Sequence, residues 1–301
     1  MEQMTTGRCP KCGRELNIPA ELENFSCMYC GARLTQADLC PQQEQSLSAG
    51  EQAESFAHAT SRLGWCITNF HGYQQKILRD TFFQAFETYE TGCAPVIQEL
   101  SRGVPSYRQT ELLTQAAETF LSELERGWKG KGDMEDEKII LAIFFVPMVR
   151  RLQLPISEEF AAIVQKKWVE RYPKSPFYLG DYDSISSGFR KKFLGLCFIT
   201  TAVCQELGKP DDCEELTAFR AFRDGYLRRQ PDGEALIREY YNIAPGIVTC
   251  INTCSDRHAS YARIREQYLA PCYEDLLAGR EETCKTRYVQ MVRDLEREYL
   301  S

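Results

Sequence analysis

The chain has 301 residues, 43% of them hydrophobic and 26% charged, with a net charge of −7. This composition supports a packed core and argues against a disordered or collagen-like chain. The acidic balance also denies the chain a general basic field, so any contact with nucleic acid or anionic lipid has to be local.

The chain opens on MEQMTTGRCP, which is polar and runs straight into a cysteine pair, so no secretory leader is expected. Fourteen cysteines in such a chain point to reduced thiols and metal ligands in a cytoplasmic setting, not to a disulfide scaffold. CPKCG and CMYCG then supply Cys9, Cys12, Cys27 and Cys30 as two Cys-x-x-Cys-Gly turns separated by fourteen residues. Each turn can aim two thiolates inward, and the two together close a tetrahedral sulfur cage around one structural zinc ion. Gly13 and Gly31 relax the backbone where the turns are sharpest.

Residues 7–36 thereby resemble the zinc-ribbon family, with short β hairpins implied. Iron in the same four sulfurs is the chemical alternative, and four unliganded thiols are the plain one. Four sulfurs leave no open coordination position, so the site reads as structural and not hydrolytic. Residues 1–40 carry four Lys/Arg against five Asp/Glu. That balance favours a protein partner over nucleic acid.

The expected domain plan is a ribbon over 1–40, a polar linker over 41–50, a helical domain over 51–180 and a further helical region over 181–301. Ser48 and Glu51 have capping-box spacing for the first helix. YQQKILRDTFFQAFETYE places Ile77, Phe82, Phe86 and Tyr89 near helical spacing. A second capping box is expected at Ser106/Gln109, and Asp133 opens an acidic first turn that suits the helix dipole. The apolar run IILAIFFVPMV is too short to cross a bilayer and reads as a buried helix. A helix from Ser157 stops before Pro173. Asp183 is expected to cap the helix that follows, with Asp181 solvated, and the FRKK cluster from Phe189 to read as a wet helix face.

In GLCFITTAVCQELG, Cys197, Thr201 and Cys204 share one helical face. Thr200 and Thr201 are expected to return their hydroxyls to carbonyls one turn back. Gly208 and Pro210 close that helix, and Asp211 with Glu214 opens the next. Arg220 and Asp224 have the spacing of an ion pair. A last short helix reaches Tyr240 and Tyr241 and is expected to break at Pro245.

CFITTAV, LTAFRAFRDGYL, PDGEAL and REYYNIAP, in that order, resemble the CFI-box family of bacterial proteins. Cys197, Phe198 and Ile199 match its start. Arg220, Phe222, Arg223, Asp224 and Leu227 match its middle helix, and Tyr240, Tyr241 and Pro245 match its ending. Relatives often read Tyr-Gly where this chain has Val203-Cys204, and often continue into a membrane-spanning tail where this chain is polar. The resemblance names a domain and implies no settled activity.

Cys197 reads first as a small buried residue and otherwise as a nucleophile or sensor thiol. None of the three histidines is placed beside it by the sequence. Cys250, Cys254 and His258 stand at successive i+4 steps, where one helix would align them as a second metal or thiol site. Cys197, Cys204 or Cys213 would supply the fourth ligand. Arg220, Arg223, Asp224, Tyr240 and Tyr241 suit either an anion pocket or a polar network between helices. The function expected is a non-enzymatic binding or adaptor role through protein contacts. The alternative is a thiol-dependent enzyme or redox/metal sensor built on Cys197.

Overall fold

A computed structural model of the chain describes residues 4–41, 47–190 and 197–301. It divides into two units, Met1–Glu54 and Ser55–Ser301. Part of the expected linker, residues 42–46, and Lys191 and Lys192 of the FRKK cluster lie outside the described residues.

The first unit is built of five short strands: β1 (Met4–Arg8), β2 (Glu15–Pro19), β3 (Asn24–Ser26), β4 (Arg33–Thr35) and β5 (Cys40–Pro41). β1 pairs antiparallel with β2 and with β5, and β3 pairs with β4. Each CxxCG turn therefore sits at or beside the bend of a hairpin. The apolar core is minimal: Leu16, Ile18, Leu34 and Leu39 pack around Cys9 and Cys27. So few side chains cannot offset the ordering entropy of such a chain unaided.

After the ribbon, every regular element among the described residues is helical. α1 (Ala49–Arg62) opens with the expected capping box: the Ser48 N–H and hydroxyl donate to Glu51 at 2.8 and 2.7 Å, and the Glu51 N–H returns to Ser48 Oγ at 3.3 Å. α2 (Trp65–Thr68), α3 (Phe82–Gly103), α4 (Gln109–Gly127), α5 (Lys131–Ile140), α6 (Val146–Arg151) and α7 (Ser157–Arg171) follow. Then come α8 (Tyr182–Arg190), α9 (Phe198–Glu206), α10 (Glu214–Ala221), α11 (Gly233–Cys254), α12 (Arg257–Ile264), α13 (Ala270–Leu277) and α14 (Glu281–Tyr299).

The apolar run from Ile139 is buried throughout, as expected. It is not a uniform helix, because Leu141–Phe145 makes a π-helical turn between α5 and α6. Pro147 and Pro271 each follow such a turn, the second at Arg265–Leu269. The ring of a helical proline clashes with the carbonyl four residues back. In both cases that carbonyl, on Ile143 or Gln267, belongs to the widened turn, which moves it aside.

Four local expectations are corrected. Ile77, though buried, lies outside α3, after a 3₁₀ turn at Tyr73–Lys76. Ser106 does not cap α4: residues Ser106–Arg108 form a 3₁₀ turn, and the Gln109 amide instead donates to Glu159 at 2.6 Å. Asp181, not Asp183, caps α8, accepting the Ser184 N–H at 2.8 Å while Asp183 falls within the first turn. Pro245 does not end a helix; α11 runs through it for 22 residues.

The reason α11 survives is tertiary. The Asn242 carbonyl, which Gly246 would satisfy in an unbroken helix ladder, accepts the Arg79 N–H at 3.0 Å. The Asn242 side chain accepts the Asp80 N–H at 3.0 Å. Gly246 lies so close to the Ile77 backbone that a Cβ there would stand 1.9 Å from the Ile77 carbonyl oxygen. α11 also contacts α5, α8, α9, α12 and α14, so residues 197–254 and the preceding helices share one core. An aromatic cluster anchors it, with Phe82 and Phe189 stacked at 4.3 Å and the Tyr89 hydroxyl donating to the Cys66 carbonyl at 2.8 Å.

Gly246→Ala is therefore expected to destabilise the helical unit by about 3 kcal/mol through overpacking against backbone. Gly225→Ala, where a Cβ meets nothing within 4 Å, is expected to be neutral or to stabilise by about 0.5 kcal/mol. Urea unfolding followed by circular dichroism reads both, and equal effects would discard the close-approach argument.

Candidate metal centre and functional site

The two knuckles of the ribbon repeat one backbone design. The Gly13 N–H donates to the Cys9 carbonyl, and the Gly31 N–H to the Cys27 carbonyl, both at 2.8 Å. Gly13 and Gly31 share φ 71°, a left-handed conformation that glycine adopts without cost. All four sulfurs lie within 4.8 Å of one another, with Cys9–Cys30 at 3.8 Å and Cys12–Cys27 at 3.7 Å. A tetrahedron of thiolates around a metal at 2.3 Å has edges of roughly 3.8 Å. The four cysteines fit such an ion without rearrangement.

Electrostatics separates the sulfurs. Burial pushes the Cys12 thiol up to about 12. Burial also opposes ionisation of Cys27, but the backbone N–H groups of Cys30 and Tyr29 bring it down to about 7. Thiolate character thus exists at one corner before the metal, and a bound cation would draw the protons from the rest.

Among the described residues, this is the one group of three or more His, Cys, Asp or Glu side chains close enough to hold a metal. The expected second stripe does not assemble. α11 ends at Cys254, Ser255 is extended, and Asp256 caps α12 by accepting the Ala259 N–H at 3.1 Å. The break swings His258 away: it is 79% exposed and faces Glu206 at 3.4 Å. Cys250 and Cys254 stay buried, their thiols pushed up by desolvation. Cys204 lies instead beside Cys213.

Cys197 sits at the N-terminus of α9, 4% exposed, against a cavity of about 60 Å³ lined by Phe219, Phe222, Ile237, Tyr240 and Val292. Burial pushes its thiol up, and the nearby Arg223 guanidinium only partly opposes this. No imidazole stands beside it: His58 meets Glu99 at 2.8 Å and His71 faces Glu137 at 3.7 Å. A cysteine nucleophile is commonly activated by a histidine, and none is paired with Cys197 among the described residues.

Several of the polar residues singled out between Cys197 and Tyr241 do converge. Arg223, nearly buried, donates from Nε and Nη2 to both Asp224 oxygens at 2.9 and 2.6 Å. Its Nη1 donates to the Tyr241 hydroxyl at 3.0 Å and faces the Cys197 sulfur at 3.7 Å. The Tyr240 hydroxyl accepts the Ile199 N–H at 3.0 Å. This arrangement pins α9, the π-helical turn Phe222–Tyr226 and α11 to one another.

Other local expectations change here. Arg220 bonds Asp211, at 2.7 Å to the carbonyl and 2.8 Å to the carboxylate, while Asp224 is taken by Arg223 and Arg228. The π-helical turn between Arg220 and Asp224 shifts the register that an i,i+4 pair requires. Cys213 rather than Asp211 stands at the start of α10, because Asp211 is engaged by Arg220. The Thr200 hydroxyl meets Tyr288 at 3.1 Å, and Thr201 Oγ1 is buried without a partner among the described residues.

Sequence reasoning missed Tyr288, 88 residues from Thr200, and the buried Glu137–Lys138 pair in α5. The Trp128 indole donates to Glu137 at 2.7 Å, and Lys138 reaches Ser175 at 2.9 Å and also Glu135. The signal for this pair was two charges set directly against a continuous apolar run.

Comparison with known proteins returns no match: no family model, no curated protein and no solved structure is significantly similar to the chain. Among the described residues, no helix is long and apolar enough to cross a membrane.

Arg223→Lys keeps the charge but loses the planar fork that serves Asp224 and Tyr241 together. It is expected to cost about 2 kcal/mol in denaturant unfolding. A variant as stable as the parent would show the network to be dispensable.

Proposed function

We propose that the chain is an adaptor whose N-terminal ribbon holds one structural zinc ion and contacts another protein. The observation that carries this reading is the outer surface of the second knuckle. Met28 and Tyr29, between ligands Cys27 and Cys30, are 71% and 50% exposed. Arg14 stacks over the Tyr29 ring at 4.8 Å. Methionine, tyrosine and arginine held on a short metal-locked turn form a preorganised apolar contact of the kind enriched in protein interfaces. The near balance of charge over residues 1–40 supports a protein partner over nucleic acid.

Zinc is favoured over iron as the resident ion because the site is wholly sulfur, closed and structural in design. The free thiols suit a reducing compartment such as the cytoplasm. Membership in the CFI-box family belongs to the same proposal. It is supported by the way Cys197, Arg223, Tyr240 and Tyr241 meet around one network. The buried thiol without a base gives no support to an enzyme built on Cys197.

Elemental mass spectrometry of anaerobically purified protein is expected to find one zinc per chain, lost in Cys9→Ser/Cys12→Ser. Metal-bound thiolates take up protons only at pH values below those of free thiols. The stability that zinc confers is therefore present near neutrality and lost as pH falls, with zinc released in step. Iron, or a metal-free ribbon, would overturn the assignment.

For the partner, Met28→Ser/Tyr29→Ser in the full chain is expected to keep its zinc and melting profile. It should lose at least about tenfold in the yield of cross-linked partner protein, as a central interface anchor would. Undiminished cross-linking would remove this surface from the reading. Salt-dependent binding of a nucleic-acid probe would move the partner class to nucleic acid.

A further inference from the structure

We propose that Cys204 and Cys213 form a thiol–disulfide exchange site that reacts with small-molecule disulfides and closes to an internal disulfide. The reading is independent of the zinc ribbon and of its partner. Cys204 lies in the last turn of α9 and Cys213 immediately precedes α10, with their sulfurs 3.9 Å apart. Between them the chain turns through Gly208, at φ 68°, and Pro210. The Lys209 N–H donates to the Cys204 carbonyl at 2.9 Å and the Cys213 N–H to the Pro210 carbonyl at 3.1 Å. The turn therefore already holds the two cysteines together. The sulfurs need to approach by only about 2 Å to reach bonding distance.

Access distinguishes this pair from the others. Among the described cysteines of the helical unit, Cys213 alone is not buried. Cys66 with Cys93, and Cys272 with Cys284, are also neighbours, but all four are sealed in the core. Cys213 opens on a surface cleft of about 480 Å³ that also presents Lys209, Arg265 and Tyr273 beside Glu214, Glu215 and Glu274. That space suits a tripeptide-sized reagent.

The chemistry divides between the two sulfurs. The Cys213 thiolate attacks one sulfur of a disulfide RSSR, forms a mixed disulfide and expels RS⁻. Cys204, buried behind Cys213, then attacks the Cys213 sulfur as its proton passes to the departing thiolate. The Cys204–Cys213 bond forms as the Cys213–SR bond breaks and the second RS⁻ leaves. Two protein thiols are oxidised, one RSSR is reduced to two RSH, and no other reactant is needed. A small thiol in excess runs the same steps backwards.

The test treats the full-length zinc-loaded protein with oxidised glutathione, quenches with acid and maps cysteine peptides by mass spectrometry under non-reducing conditions. In the parent, the expected product is a Cys204–Cys213 cross-linked peptide that excess reduced glutathione reverses. In Cys204→Ser the second step is blocked, so Cys213 should accumulate one glutathionyl group per chain, at least about tenfold faster than Cys66, Cys93, Cys272 or Cys284. Cys204→Ala, kept folded by circular dichroism, serves if the serine variant does not fold. Cys213→Ser should abolish both products. A parent that keeps both thiols, that carries a stable adduct on Cys213 without cross-linking, or that pairs either cysteine elsewhere overturns the proposal.

Discussion

The Asn242 carbonyl accepting the Arg79 N–H is the contact around which the helical unit is organised. The Pro245 ring disturbs the ladder of α11, and the Asn242 carbonyl, which the Gly246 N–H would satisfy in an unbroken helix, must find another donor or bear the cost of burial without one. Here the donor comes from a segment more than 160 residues earlier in the chain, and Gly246 supplies the missing volume that lets the two backbones meet. One local defect in α11 thereby becomes the point at which the early aromatic core and the late helices are joined.

From that joint the rest of the site follows geometrically. α11 carries Tyr240 and Tyr241 toward α9, where their hydroxyls meet the Ile199 N–H and the Arg223 guanidinium. The π-helical turn Phe222–Tyr226 turns Arg223 inward while Asp224, half exposed, takes its fork. Cys197 is enclosed by this arrangement, and enclosure is what keeps its thiol protonated. The same low-dielectric setting that makes the network worth building makes the cysteine a poor nucleophile.

The ribbon obeys a different balance. Its apolar core is a handful of side chains, so little of its order can rest on area removed from water, and the four cysteines could supply the rest by holding a metal ion. That division explains why apolar groups remain exposed on the knuckle at Met28 and Tyr29. They are free for another surface because the Gly31 N–H to Cys27 carbonyl bond, not their burial, closes the turn. Across the helical unit the thiols are sorted by access: among the described cysteines there, only Cys213 is not buried, and the Cys204 sulfur lies beside it.

The clustering of the four cysteines and the helical class were legible in the residues because both rest on short-range rules. Cysteine spacing sets which sulfurs a knuckle can aim inward, and apolar periodicity sets which face a helix buries. The capping box at Ser48 and Glu51 is local in the same sense. The roles of Asp181, Arg220 and Pro245, and the separation of His258 from Cys250 and Cys254, were not legible. Each depends on a π-helical turn, a helix end or a backbone contact stabilised by residues far away in the chain. Hydrogen-bond partners at such distances are chosen by packing, and packing of one helix against another has no signature within either helix alone.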